Sequence, residues 1–478
     1  MRFKLVVAVA GAALVATAVA GASANFRLVR LSVDPYTNPT SQHKTEVEPD
    51  TYAFGSTMVA TFQVGRFGGG GASNLGYATS TDGGASWTNG FLPGTTVYAS
   101  PPGPYARISD PSVAYDAKHD VWIITGLAID SSVRGVGPVA SRSLDGGLTF
   151  QNPVVVATTP NFADKEWISC DNTPSSSFYG NCYVEWDDAN AGGIIHMNTS
   201  TDGGATWGPS RNTADNASGI GGQPVVRANG TVVVPIDDFF SNDIIYFTSS
   251  DGGATWSTTK TVATITDHGS SGGLRNPNLP SAEVDKRGNV YVAWYDCRFR
   301  TGCTANDIAY AIIKPSGAVS GVKRVPIDPV TSNVDHFTPG IAVDPATGGA
   351  NAHVAVTYYY LPIANCGSTC DLDIGFISST DGGASWSTAT QLAGPMKPVW
   401  LPSAGGRMYG DYISTSHMEG KAFPGIIVAQ APTQKFHVSA YSVKPGLLAA
   451  EGGDVVANEA PVPGAASDHP FDRPLTAN

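Results

Sequence analysis

The chain has 478 residues, of which only 14% are charged, and 40 acidic against 28 basic side chains leave a formal net charge of -12. That balance argues against nucleic acid as a partner, because phosphate recognition needs a basic surface. It suits a soluble extracellular protein.

Met1 to Ala24 reads as an export signal. Arg2 and Lys4 form a basic start, Leu5 to Ala20 a short small-residue apolar core, and Ala22-Ser23-Ala24 fits a signal-peptidase site. The core is short and Ala-rich for a spanning helix, so no membrane insertion is expected. The mature chain should begin near Asn25 and be secreted. The six cysteines fall into three close pairs, Cys170 with Cys182, Cys297 with Cys303 and Cys366 with Cys370. In an exported chain this clustering predicts local, loop-closing disulfides. A zinc site is the alternative, weakened by the lack of any Cys-x-x-Cys pair.

One eight-residue phrase organises the chain. It runs Ser80-Thr81-Asp82-Gly83-Gly84-Ala85-Ser86-Trp87 and returns at 143–150, 200–207, 249–256 and 379–386, five copies in all. Adjacent glycines tolerate the positive φ of a tight reversal. The Asp carboxylate and the Ser or Thr hydroxyls can accept the turn's own N–H groups, and the closing aromatic supplies an apolar anchor. A degenerate copy surrounds Lys314-Pro315-Ser316-Gly317. A looser strand phrase begins near Glu48, Asp110, Lys165, Gln223, Leu279, Thr338 and Met408, seven starts spaced by roughly 55 to 70 residues, near the length of a propeller blade.

The pattern resembles the Asp-box, or bacterial neuraminidase repeat, of sialidase-like β-propellers, and the resemblance covers most of the mature chain. It implies an all-β propeller of four-stranded antiparallel blades, with the box turns between strands three and four as folding devices on the face away from the active site. The seven starts predict seven blades; six is the alternative, since most sialidases have six. The propeller is expected over 25–445, with Phe26 to Val33 supplying the outer strand of the last blade. The Gly-, Ala-, Pro- and acid-rich tail 446–478 should be disordered.

On the face opposite the boxes, the segments starting strand one and leaving strand two carry the candidate site. Arg107 and Asp110, then Asp164 to Trp167, Gln223, Arg275, Asp335 and His336, and Arg407 to Tyr412 start strands. Arg66, Asp187, Asp188, Asp237, Asp238, Asp296 and Arg298 leave them. Of only 16 arginines in the chain, five stand at these positions, and a guanidinium fork can grip a carboxylate through two parallel hydrogen bonds. An Arg beside an Asp also reads as an ion pair between blades, and both readings stay open.

Sialidases hold a substrate carboxylate with three arginines, attack with a Tyr activated by a Glu, and use an Asp as acid/base. The resemblance therefore implies Arg107, Arg275 and Arg407 as the arginine set, Tyr409 or Tyr412 as nucleophile, Glu166 (or Glu283) as its helper and Asp110 as acid/base. Arg66, Arg298 and Trp167 are expected to add substrate contacts. The match is partial: Tyr105-Ala106-Arg107-Ile108-Ser109 carries an inserted Ala and no Pro after Ile108, and Gln223 stands where a Glu might. The expectation is a monomeric, exported, sialidase-like glycoside hydrolase acting on a glycan, with no cofactor or metal assigned. A non-catalytic binding propeller and a polysaccharide lyase are the rivals.

Overall fold

The computed structural model describes residues 26–449. The export signal expected at 1–24 and most of the tail expected from 446 lie outside the described residues. Within them the regular structure is strand, interrupted only by the single turns Ala189–Ala191, Gly349–Asn351 and Pro398–Trp400.

The strands form successive antiparallel groups. The first pairs Glu46–Phe54, Thr57–Arg66, Ala72–Ser80 and Thr88–Phe91 in that order. Later groups open with Arg107–Asp116, Ala163–Cys170, Val225–Val226, Ser281–Val284, Asp335–Val343 and Ser414–Met418. The last group, Ser414–Met418, Lys421–Gln430 and His437–Lys444, takes its outer strand from the other end of the chain: Arg27–Arg30 pairs with it, Arg27 opposite Lys444 and Arg30 opposite Tyr441. Leu447–Leu448 still pairs with Lys421 and Ala422, so pairing runs past the boundary expected at 445.

The opening strands pack in a closed order. Each contacts the next in sequence, and Ser414–Met418 returns to Glu46–Phe54. Hydrogen bonds stitch neighbours near equivalent positions: Asp50 accepts from Val113 N at 2.8 Å, Ser112 from Ile168 N at 2.8 Å, Gln223 from Ala282 N at 2.6 Å and Ser281 from Ile341 N at 3.1 Å. The Thr51 hydroxyl lies 3.0 and 2.9 Å from those of Ser414 and Ser416, across the closing seam. Each group is thus covered on both faces. Its middle strands accordingly read as near-continuous apolar runs, such as the fully buried Val121–Ile129.

The five repeats end third strands. In each, the Asp carboxylate accepts from the N–H and the hydroxyl four residues on, as in Asp251 with Thr255 N at 3.0 Å and Thr255 Oγ1 at 2.5 Å. The leading serine accepts from the second glycine, Ser249 from Gly253 N at 3.0 Å. Both glycines have positive φ, 71° and 85° at Gly252 and Gly253. The closing aromatics reach into the preceding group: Phe150 lies 4.7 Å from Tyr77, Trp256 6.2 Å from Tyr183 and Trp386 5.9 Å from Tyr310. Strand three runs in the direction of strand one, so these turns lie at the end away from the strand starts.

All three expected disulfides form, Cys170–Cys182, Cys297–Cys303 and Cys366–Cys370. They fit an oxidising, extracellular setting. No helix among the described residues is long and apolar enough to cross a membrane.

Candidate functional site

Four opening strands bulge at the same place, between Val47 and Asp50, Ser109 and Ser112, Asp164 and Trp167, and Phe337 and Gly340. Glu48, Asp110, Lys165 and Thr338 occupy these bulges with φ of 53°, 47°, 38° and 48°. Side-chain-bearing residues hold this left-handed conformation only where the surroundings over-determine it. A bulge also re-aims a side chain out of the strand's alternation, and three of these four side chains meet.

Lys165 Nζ lies 2.8 Å from Asp110, 2.5 Å from Asp411 and 3.6 Å from Glu48. The ammonium and all three carboxylates are buried. Burial opposes the lysine's charge, but Asp110, Asp411 and Glu48 outweigh it and hold its pKa well above the ordinary value. Asp411 is also gripped by Arg275, Nε to Oδ1 at 2.8 Å and Nη2 to Oδ2. Against the cost of burial, Arg275 and Lys165 hold the Asp411 carboxyl well below the usual range. Gln63 completes the cluster, donating to Glu48 and to Ser109 Oγ at 2.9 Å while accepting from Arg66 Nη1 at 2.6 Å.

The five candidate arginines divide. Arg275 is committed to Asp411, and Arg298 donates to Asp296 and Thr264 O. Arg66 is buried on Gln63. Arg66, Arg107 and Arg407 pair with no carboxylate among the described residues, and of these three only Arg107 and Arg407 are partly exposed. Arg107 donates to Gly70 O at 2.8 Å and lies over the Phe67 ring, 4.3 Å from its centroid. Arg407 donates to Leu401 O at 3.1 Å, and its carbonyl accepts from Arg275 N at 2.9 Å. The segment that leads to Arg407 is joined to the end of the strand Thr57–Arg66 by Gln42, which accepts from Ser403 N at 2.9 Å, donates to Ser403 O at 2.8 Å and bonds through its own N–H to Arg66 O. Arg107, at the start of the second group, thus lies against the turn that leaves the strand Thr57–Arg66 of the first, and Arg407 lies in the segment leading into the last group.

The candidate tyrosines sit differently. Tyr409 is 0% exposed, stacked 3.8 Å from Tyr359, with its hydroxyl 2.6 Å from Thr338 Oγ1. Tyr412 is partly exposed and donates to Pro111 O at 3.1 Å, with Trp167 edge-on at 4.9 Å. Burial, then the charges of Glu48 and Asp110, push the Tyr412 hydroxyl well above its ordinary pKa. Tyr412, Trp167, Glu166, Lys165 and Asp411 line a central cavity together with Gly222 and Gln223. The cavity is narrow between these side chains and opens toward solvent.

Sequence reasoning passed over Glu48, Gln63 and Phe67. Glu48-Pro49 and Asp110-Pro111 share a pattern and a position, which was the available signal for Glu48. Gln63 and Phe67, at the end of a second strand and just beyond it, carry none.

No family model matches the chain, and no curated protein does. Among solved structures it is similar to a protein of unknown function from Dyadobacter fermentans, at 16% identity and a TM-score of 0.46 over 74% of this chain and 98% of that one. It is also similar to the NanB sialidase of Streptococcus pneumoniae, at 13% identity and 0.43 over 87% and 70%. The intramolecular trans-sialidase of Ruminococcus gnavus gives 13% identity and 0.40 over 86% and 96%. Scores of this size leave the fold to rest on the strand pairing and the closed packing order.

Proposed function

We propose that the seven strand groups are the blades of a sialidase-like β-propeller, that the five repeats are its Asp-boxes, and that the exported protein binds an acidic glycan at the face bearing the strand starts. The observation that carries this reading is the pair Arg107 and Arg407, two partly exposed guanidinium groups that have no carboxylate partner among the described residues, each at a strand start or the segment leading into one. A guanidinium fork left free in this way suits a ligand carboxylate. The central charges serve a different end: Lys165, Asp110, Asp411 and Arg275 satisfy one another and clasp the blades beneath the ligand. Binding is the first reading because Tyr409 is buried against Tyr359 and Lys165, Asp110 and Asp411 are taken up by one another.

Hydrolysis is the second reading, favoured by one observation. Burial raises the Asp164 carboxyl to about 6 against the pull of Lys165, the range in which a general acid works near neutrality. Tyr412 and Glu166, both lining the cavity, and Asp110 beside Lys165 are the further groups this reading would use.

The test is a titration of acidic and neutral oligosaccharides into the wild-type protein and the Arg107→Lys and Arg407→Lys variants. The proposal expects acidic glycans to bind and both variants to bind them much more weakly at unchanged melting temperature. Equal binding by all three proteins, or no acidic glycan bound at all, overturns it. Release of a fluorogenic aglycone in the same panel would put hydrolysis first.

A further inference from the structure

The turn leaving the strand Thr57–Arg66 is built of glycine: Phe67 is followed by Gly68, Gly69, Gly70 and Gly71. Two of the four are explained from within the fold. Gly70 and Gly71 have φ of 103° and 69°, and a Cβ on Gly71 would meet Ile129 Cδ1 at 2.8 Å. Gly68 and Gly69 are different. Neither takes a left-handed φ, and both are exposed. A Cβ would meet nothing nearer than 3.7 Å at Gly68 and 3.6 Å at Gly69. These are ordinary contact distances, so the fold itself would accept alanine at both.

The atoms that such a Cβ would meet are informative. At Gly69 the neighbour is Arg107 Nη1, and at Gly68 it is Ser403 O. Ser403 pairs with Arg407 in an isolated β-bridge. The two bare residues thus lie between Arg107 and the segment holding Arg407.

The turn also fixes Arg107. Gly70 O accepts from Nη1 at 2.8 Å, and the guanidinium lies 4.3 Å from the centroid of the Phe67 ring, an attractive placement for a cation. The turn is itself closed, by Phe67 N to Gly71 O at 2.8 Å and Gly70 N to Phe67 O at 3.3 Å. The N–H groups of Gly68 and Gly69 have no acceptor among the described residues, and neither do Nε and Nη2 of Arg107.

We propose that the acidic group of the glycan rests on this turn, accepting hydrogen bonds from Gly68 and Gly69 N–H as well as from the Arg107 fork. Successive main-chain N–H groups in a turn form a concavity for an anion, and glycine lets a ligand approach the backbone closely. A sugar carboxylate and a sulfate ester offer the same acceptor oxygens. The inference rests on the acidic-glycan reading and assigns to that site a main-chain half.

Carboxylated and sulfated oligosaccharides are titrated into the wild type and the Gly68→Ala, Gly69→Ala and Arg107→Lys variants, each with its melting temperature. Hydrogen exchange of residues 66–72 is followed in the wild type with and without the oligosaccharide. Each alanine is expected to weaken binding about tenfold at unchanged melting temperature, the scale of one hydrogen bond to a charged group. Exchange over 66–72 should slow on binding, because exposed, unpaired N–H groups exchange freely until an acceptor covers them. The series that binds identifies the acidic group. If Arg107→Lys loses binding while both alanine variants bind as the wild type does, this inference falls and the glycan reading stands. If the wild type binds neither series, both fall. Should an alanine variant fail to fold, the wild-type exchange decides: unchanged exchange over 66–72 in the bound protein overturns the proposal.

Discussion

Lys165 Nζ and Asp411 Oδ2 are 246 residues apart in sequence and 2.5 Å apart in space. The contact joins the opening strand of the third group to the segment leading into the last, so it spans the packing cycle. Removing the ammonium would leave Asp110, Asp411 and Glu48 buried with less countercharge. Lys165→Met is therefore expected to cost about 3–5 kcal/mol, the usual consequence of breaking a buried pair on one side, read from urea unfolding. Mild acid should restore part of the loss in the variant, because protonating the stranded carboxyls removes the penalty. A variant as stable as wild type would show that the cluster contributes no net stability.

Arg275 and Arg107 should separate stability from binding. Arg275 grips Asp411 through two nitrogens, a geometry an ammonium cannot reproduce. Arg275→Lys is expected to lower stability by about 1.5–3 kcal/mol, the scale of hydrogen bonds to a charged group, with acidic-glycan affinity of the folded protein retained. Arg107→Lys should do the reverse. The two are compared by thermal melting and by glycan titration on the same preparations; matching effects of both variants would refute the division of roles.

The architecture was more legible in the sequence than the site, for physical reasons. The Asp-Gly-Gly repeats depend on local chemistry, two positive-φ glycines and an Asp that satisfies its own turn, so each copy announces itself. The three disulfides were equally readable, because short separations leave little choice of partner. Nothing local distinguishes Arg275 from Arg407, which are separated in role by Asp411, a residue 136 positions from Arg275. Tyr409 and Tyr412 differ by three positions in sequence, yet one is stacked in the core and the other lines the cavity. The bulges that gather Glu48, Asp110 and Lys165 were hidden for a related reason. A left-handed conformation at a side-chain-bearing residue is imposed by tertiary packing, and no propensity reports it.

The repeats should act on stability alone. Ser249 is buried and accepts from Gly253 N while donating to Asp251 at 2.8 Å. Partial burial pulls the other way, but the bonds from Thr255 and Ser249 hold the Asp251 carboxyl below its ordinary value. Ser249→Ala orphans the buried Gly253 N–H and is expected to cost about 1–3 kcal/mol. Glycan affinity should not change, since the turn lies at the far end of the strands from Arg107 and Arg407. A loss of affinity at unchanged melting temperature would place the ligand on the repeat face.

Glu46 gives the stability a pH dependence of predictable sign. Its carboxyl is buried, with one oxygen accepting from Ala440 N at 2.9 Å and the other without a partner. Burial raises its pKa from 4.5 to about 8, only partly offset by the Ala440 N–H and by Arg30, while Asp34 adds to the rise. The folded chain thus keeps a proton that the unfolded chain has lost between these two values. Stability is full below about 4.5 and declines as pH rises through the window, by up to about 1.4 kcal/mol per pH unit for one such group. Glu283, raised by burial to about 8, and Asp50, to about 7, act in the same direction. Glu46→Gln keeps the acceptor for Ala440 and has no proton to lose. It should match the wild type near pH 5 and exceed it near pH 8 in urea midpoint, flattening the profile by the contribution of one proton. Parallel profiles for the two proteins would mean that Glu46 is ionised in the folded state and that its buried charge is balanced by Arg30.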